Sequence, residues 1–201
     1  MSAPAAPVSA ERYDFRSVMA SGTKLGLAVG FAVVLFLTVS RFLPEGVVQQ
    51  LAQTIVVLAA GTAAAFLPGL WVAPRSGEGI AGAAAVGLWG TVVFSAFDIV
   101  VLRPLHAYPW TWDAIGGNST WWYLPLWWML GTFIAWMGGI VVARVAPVVP
   151  GLARLALPTA VGGIAIGIGF AFAGLSLAIA TGAGFVLSLA VRALVALARA
   201  R

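Results

Sequence analysis

Cysteine is absent from this 201-residue chain, which excludes disulfides, thiolate metal sites and cysteine nucleophiles. Charge is nearly absent as well. Only 8% of residues are Asp, Glu, Lys or Arg, about a third of what a soluble domain carries. No stretch is long and polar enough to form such a domain. There is one histidine, His106, so no histidine pair stands at metal-binding spacing. Neither a phosphate-cradling Gly-rich loop with its Lys nor a Ser/His/Asp set with three free members occurs. The net charge of +5 is small and dispersed, which argues against a nucleic-acid partner.

What remains is oil. Hydrophobic residues make up 62% of the chain. A helix crossing the hydrocarbon core needs about 20 apolar residues, at about 1.5 Å of rise each. Apolar blocks lie at 25–42, 47–67, 80–102 and 122–143, and a final block covers 155–198. The last is too long for one crossing and is interrupted only by Arg192. The predicted fold is therefore all-α: a polytopic transmembrane helix bundle spanning 21–201, behind an N-terminal cytoplasmic tail at 1–20. The first ten residues are rich in Ala and Pro. They lack the basic start of a secretory signal, so the first span reads as a retained anchor.

Basic residues divide the final block. With the N-terminus inside, Arg12, Arg16, Lys24, Arg75, Arg144 and Arg154 are cytoplasmic, while Arg41 and Arg103 are external. Two crossings in the last block also return Arg192, Arg199 and Arg201 to the inside, which the positive-inside rule favours. Six spans follow, with an outer turn between Gly174 and Gly184. The rival is five spans plus an interfacial C-terminal helix, since Ser188, Arg192 and Arg199 share one face. The Ala/Gly-rich composition points to a bacterial inner membrane.

Small residues recur every fourth position on four spans. Gly22, Gly26 and Gly30 do so in the first, and Gly79, Ala83, Gly87, Thr91 and Ser95 in the third. Gly131, Ala135 and Gly139 follow in the fourth, and Gly163, Gly167 and Ala171 in the fifth. Residues four apart share a helix face, and tiny side chains there let two backbones approach closely. Packing within one chain accounts for most such faces. Four of them are more than six helices need, which suggests joints with other membrane subunits.

Aromatics cluster in the long connection after residue 103 and just beyond it. Tyr108, Trp110, Trp112, Trp121, Trp122, Tyr123, Trp127 and Trp128 fall there, at the level of an outer interfacial belt. Such rings bind lipid headgroups, and they could also seat a pigment or another planar lipid-soluble cofactor. Trp127 and Trp128 point about 100° apart on a helix, so only one of them joins any single pocket.

Asp98 is the one acid inside a span. A carboxylate in hydrocarbon costs a few kcal/mol even on lenient insertion scales, so it must be paired, hydrated or protonated. An ion pair with Arg41 or Arg103 is the structural reading, and a proton or cation site is the functional one. Gln49 and Gln53 share a face at the start of the second span, placed to hydrogen-bond across helices. His106 could supply one axial nitrogen to a porphyrin-type metal, but a loop histidine is more often simply solvated.

Three functions fit these residues. The first is a non-catalytic membrane subunit packed in a larger complex, with outer aromatics holding lipid or pigment. Accessory subunits of respiratory and photosynthetic assemblies share this character, an analogy of type and not of sequence. The second is a small homo-oligomeric transporter or channel using Asp98. The third, an enzyme acting on a lipid-soluble substrate, lacks a visible catalytic set.

Overall fold

The structure is a computed structural model and describes residues 11–105, 107, 123–145 and 151–199. Among these residues it is all-helical. Helix α1 is Phe15–Phe42, α2 is Val47–Val72 and α3 is Gly77–Phe97, the last running on through a π-helical turn, Asp98–Leu102. Helices α4 (Tyr123–Val145), α5 (Leu152–Phe172) and α6 (Leu177–Ala198) complete the bundle. All six are long and apolar enough to cross a membrane, and the chain is an integral membrane protein. The long last block is two helices. They are joined at 173–176, where Gly174 takes a φ of 94° that residues with a Cβ rarely adopt. Helix α6 packs along α5 and against α2 and α4, so it belongs to the bundle and is not a separate surface helix.

Capping groups set the ends that hydropathy blurs. Asp14 precedes α1, and its carboxylate accepts from the Ser17 N–H at 3.1 Å. That cap starts α1 ten residues before the apolar block, carrying Arg16 and Lys24 within the helix. Residues 15–20 therefore belong to the first helix and not to a tail. Ser76 caps α3 by accepting from the Gly79 N–H at 3.0 Å. Helix α2 ends on Ala73, a non-glycine residue in left-handed conformation, whose N–H returns to the Gly69 carbonyl at 2.8 Å.

Helix α2 touches all five others and forms the centre of the bundle. One buried cluster joins it to α4, α5 and α6 through Ala65, Phe66, Ile140, Val141, Leu155 and Leu189. A smaller cluster of Leu25, Val72 and Val86 ties α1, α2 and α3 together near the N-terminal pole.

The small-residue faces are occupied inside the chain. A Cβ on Gly26 would meet the Gly90 carbonyl and Val93, so α1 and α3 touch backbone to backbone there. Gly22 and Gly30 lie on the same seam, under the rings of Trp89 and Phe97. Gly87 abuts Gly131 and Ala135 across the α3–α4 seam, with Thr91 against Gly131 and Ala83 against Gly139. Gly163 meets Phe185, and Gly167 meets Ala180 and Thr181, between α5 and α6. Gly79 instead faces Pro74 and Glu11, outside any helix seam, and Ala171 is half-buried near the end of α5. The stripes of the first and fourth spans are occupied by intrachain contacts, as are Ala83, Gly87 and Thr91 of the third, which meet α4, and Gly163 and Gly167 of the fifth. Those positions already face neighbouring helices of the same chain.

Candidate functional site

The pole opposite the N-terminus holds Asp98, the one buried acid among the described residues. Asp98 is 3% exposed and begins the π-helical turn. In an α-helix, residues five apart point about 140° away from each other, because each advances about 100°. Here the Arg103 N–H donates to the Asp98 carbonyl, five residues back, at 3.0 Å. That wider turn brings Arg103 over Asp98, and its Nε lies 3.3 Å from the Asp98 Oδ2. Of the two arginines considered from sequence, Arg103 is a partner of Asp98, and Arg41 is exposed at the end of α1. A π turn inside an α-helix is rare and is often found at functional positions.

Asp98 also lines a cavity of about 280 Å³. Its walls are Val29, Val33, Phe36 and Leu37 of α1, Thr91 and Phe94 of α3, and Trp127, Leu130, Gly131 and Ile134 of α4. Ala64 of α2 completes the lining. Helices α1 and α4 thus face each other across a space that α3 bridges. The Phe94 and Trp127 rings meet edge to face, with centroids 6.3 Å apart and planes at 75°. The cavity is an apolar chamber with an aromatic wall and a single carboxylate, itself neutralised by a guanidinium. Its volume is near the lower end of that of small-molecule sites.

Trp128 does not line this chamber. Its indole N–H donates to the Ser95 hydroxyl at 3.3 Å, and that hydroxyl donates to the Thr91 carbonyl at 2.7 Å. One tryptophan of the pair thus faces the cavity while the other pins α4 to α3.

Gln49 and Gln53 are turned toward the α1–α2 connection. The Gln49 amide donates to the carbonyls of Ser40 and Leu43 at 2.9 and 3.0 Å, and Gln53 donates to the Ser40 hydroxyl at 2.9 Å. The two Gln49 bonds satisfy carbonyls at the end of α1 that lack helical donors. Neither glutamine lines the cavity.

His106, Trp110, Trp112, Trp121 and Trp122 lie outside the described residues. Among the described residues no group of three or more His, Asp or Glu side chains could hold a metal ion. Two features of the site carry no signal in the sequence. The π turn follows no recognisable pattern, and the cavity arises from how four helices, α1 to α4, meet. No family model matches the chain, and no curated protein or solved structure proves similar to it.

Proposed function

We propose that this chain is a non-catalytic integral membrane subunit whose cavity seats the apolar ring of a pigment or another planar lipid-soluble molecule. We place it in the bacterial inner membrane with its N-terminus cytoplasmic, packed in a larger membrane complex. The observation that carries the reading is the Phe94–Trp127 edge-to-face pair in a chamber of about 280 Å³ whose one acid is already paired. Aromatic walls favour a flat apolar guest, and a neutralised carboxylate leaves no net charge to repel it.

The partner subunits would meet a different surface from the small-residue stripes. Leu157, Val161, Ile164, Ile168 and Phe172 run up one exposed face of α5, the helix at the edge of the bundle. That stripe supports contact with lipid or with another apolar helix.

Purification in mild detergent from the native host tests both halves. Co-migration with several unlike polypeptides and a bound chromophore or extractable apolar compound is expected. Leu130→Trp, which fills the chamber, should release the compound while the bundle still folds. Purification of the chain alone and free of any bound compound would refute the reading.

A second reading, a homo-oligomeric transporter or channel, draws on the place of Asp98 in the cavity wall. It requires solute flux in vesicles that Asp98→Asn abolishes. Absence of flux, or flux unchanged by Asp98→Asn, removes it.

A further inference from the structure

The N-terminal pole carries a second pocket, cationic where the first is apolar. It has a volume of about 220 Å³ and is lined by Arg12, Ser17, Ala20, Ser21, Lys24 and Trp71. Two cations and two hydroxyls therefore converge on one space beside an indole. Among the described residues neither Arg12 nor Lys24 forms an ion pair with a carboxylate. No acid lines the pocket. Such a set fits an anion with several acceptor oxygens, as a phosphate has.

Depth says which phosphate. Helix α1 has 28 residues, about 42 Å at about 1.5 Å per residue, against a hydrocarbon core of about 30 Å. The excess of about 12 Å is eight residues. The polar side chains of α1 put it at the start, so Phe15 to Gly22 stand at headgroup level, and the long Lys24 side chain, two residues on, reaches back to it. Trp71, in the last turn of α2, marks the same level, where indoles prefer to sit.

The surface beyond the pocket is apolar and continuous with it. Ser17, Ser21 and Lys24 share a helix face, and three or four residues further on that face come Leu27, Phe31 and Leu35. These three are 56, 70 and 41% exposed. A charged cup followed by an open hydrocarbon track matches a molecule with an anionic head and acyl chains.

We infer that this pocket binds the phosphate headgroup of an anionic phospholipid, with its acyl chains laid along Leu27, Phe31 and Leu35. Arg12 and Lys24 supply the charge, Ser17 and Ser21 donate to phosphate oxygens, and Trp71 covers the glycerol region. Basic pockets between spans are a recurrent way of holding such headgroups. This site stands apart from the Asp98 chamber, and neither reading depends on the other.

Native mass spectrometry of the full chain tests it, with phosphatidylglycerol and phosphatidylcholine of identical acyl chains titrated into the detergent-solubilised protein. Phosphatidylglycerol should be retained in preference. Arg12→Gln and Lys24→Gln should each lower its occupancy about fivefold, the worth of one cation near the headgroups. Lys24→Arg should retain it, and Arg154→Gln, exposed at the same pole on α5, should change nothing. If the glutamine variants do not fold, Ser21→Leu, which blocks the pocket and leaves both cations, should give the same loss. Equal retention of the two lipids would overturn the proposal, as would an equal effect of Arg154→Gln. Displacement of phosphatidylglycerol by millimolar inorganic phosphate would show a site for soluble anions instead, and would equally overturn it.

Discussion

The Arg192 guanidinium crosses from α6 to α5 and donates to the Leu155 carbonyl at 2.6 Å. The same nitrogen also reaches the Thr159 hydroxyl. A basic residue this close to a helix end is expected to run outward to the headgroups. Here it turns sideways, to either side of Pro158 in α5. Pro158 has no N–H, so the Arg154 carbonyl loses its helical donor. In a membrane such backbone is tolerated when a neighbouring helix supplies polar contacts, as Arg192 does one residue on.

That contact should be measurable. A cycle of Arg192→Met and Thr159→Val, read by unfolding in detergent, should give a coupling of about 1 kcal/mol, the order found for interhelical hydrogen bonds in membranes. A coupling indistinguishable from zero would mean that the guanidinium contributes only through its other contacts.

Glycines should divide sharply by what lies opposite them. A Cβ on Gly138 would overlap the backbone carbonyl of Ala65, where α2 and α4 touch. Gly169, also helical, has open space on that side. Gly138→Ala should therefore destabilise by about 1–3 kcal/mol, the usual cost of overpacking. Gly169→Ala should be neutral or stabilising by up to about 1 kcal/mol, since alanine loses less entropy in a helix. Paired thermal melts of the two variants check this, and similar melting temperatures would contradict the backbone contact.

Gly138 also shows how far the residues could be read in advance. Length and the placement of basic residues favour six crossings, because the 44-residue block at 155–198 exceeds what one span can hold. Faces follow too, since residues four apart align. Which faces meet does not follow. Gly138 lies beside the Gly131–Ala135–Gly139 stripe, not on it, yet it makes the closest approach to α2. The start of α1 was hidden for another reason. Its first turns are polar, and the Asp14 cap, not hydropathy, makes them helical. The choice of Arg103 for Asp98 depends on a π turn, which no periodicity announces.

Ala73 offers a gain. It holds φ 54° and ψ 58° at the end of α2, a conformation that places its Cβ against the backbone. Glycine is the preferred residue at this position of a helix end. Ala73→Gly should stabilise the protein by about 1 kcal/mol, read as a raised melting temperature in detergent. A lower melting temperature would mean that packing of the Ala73 methyl outweighs the relief of strain.

The last prediction concerns pH at the N-terminal pole. The Glu11 carboxylate accepts from the Ser76 hydroxyl at 2.7 Å and the Ser76 N–H at 2.8 Å, and also from the Arg75 N–H. These bonds, the Ser76 hydroxyl foremost, favour the ionised form and hold the Glu11 pKa below its usual value. The other groups facing this turn are Arg75, whose charge acts in the same direction, and Glu78, which the Tyr13 hydroxyl engages at 2.8 Å. A group whose pKa falls on folding contributes stability above its unfolded pKa and loses it as pH drops through the folded value. The attachment of residues 11–13 to the α2–α3 turn should thus be intact at neutral pH and weaken as pH drops from the ordinary carboxylate range to below it. Hydrogen exchange at the Arg75 and Ser76 amides, corrected for its intrinsic pH dependence, should lose protection over that range. In Glu11→Gln the added loss should vanish, although Asp14, depressed by Ser17, still titrates there. Protection with the same acid dependence in both proteins would show that Glu11 does not hold the turn.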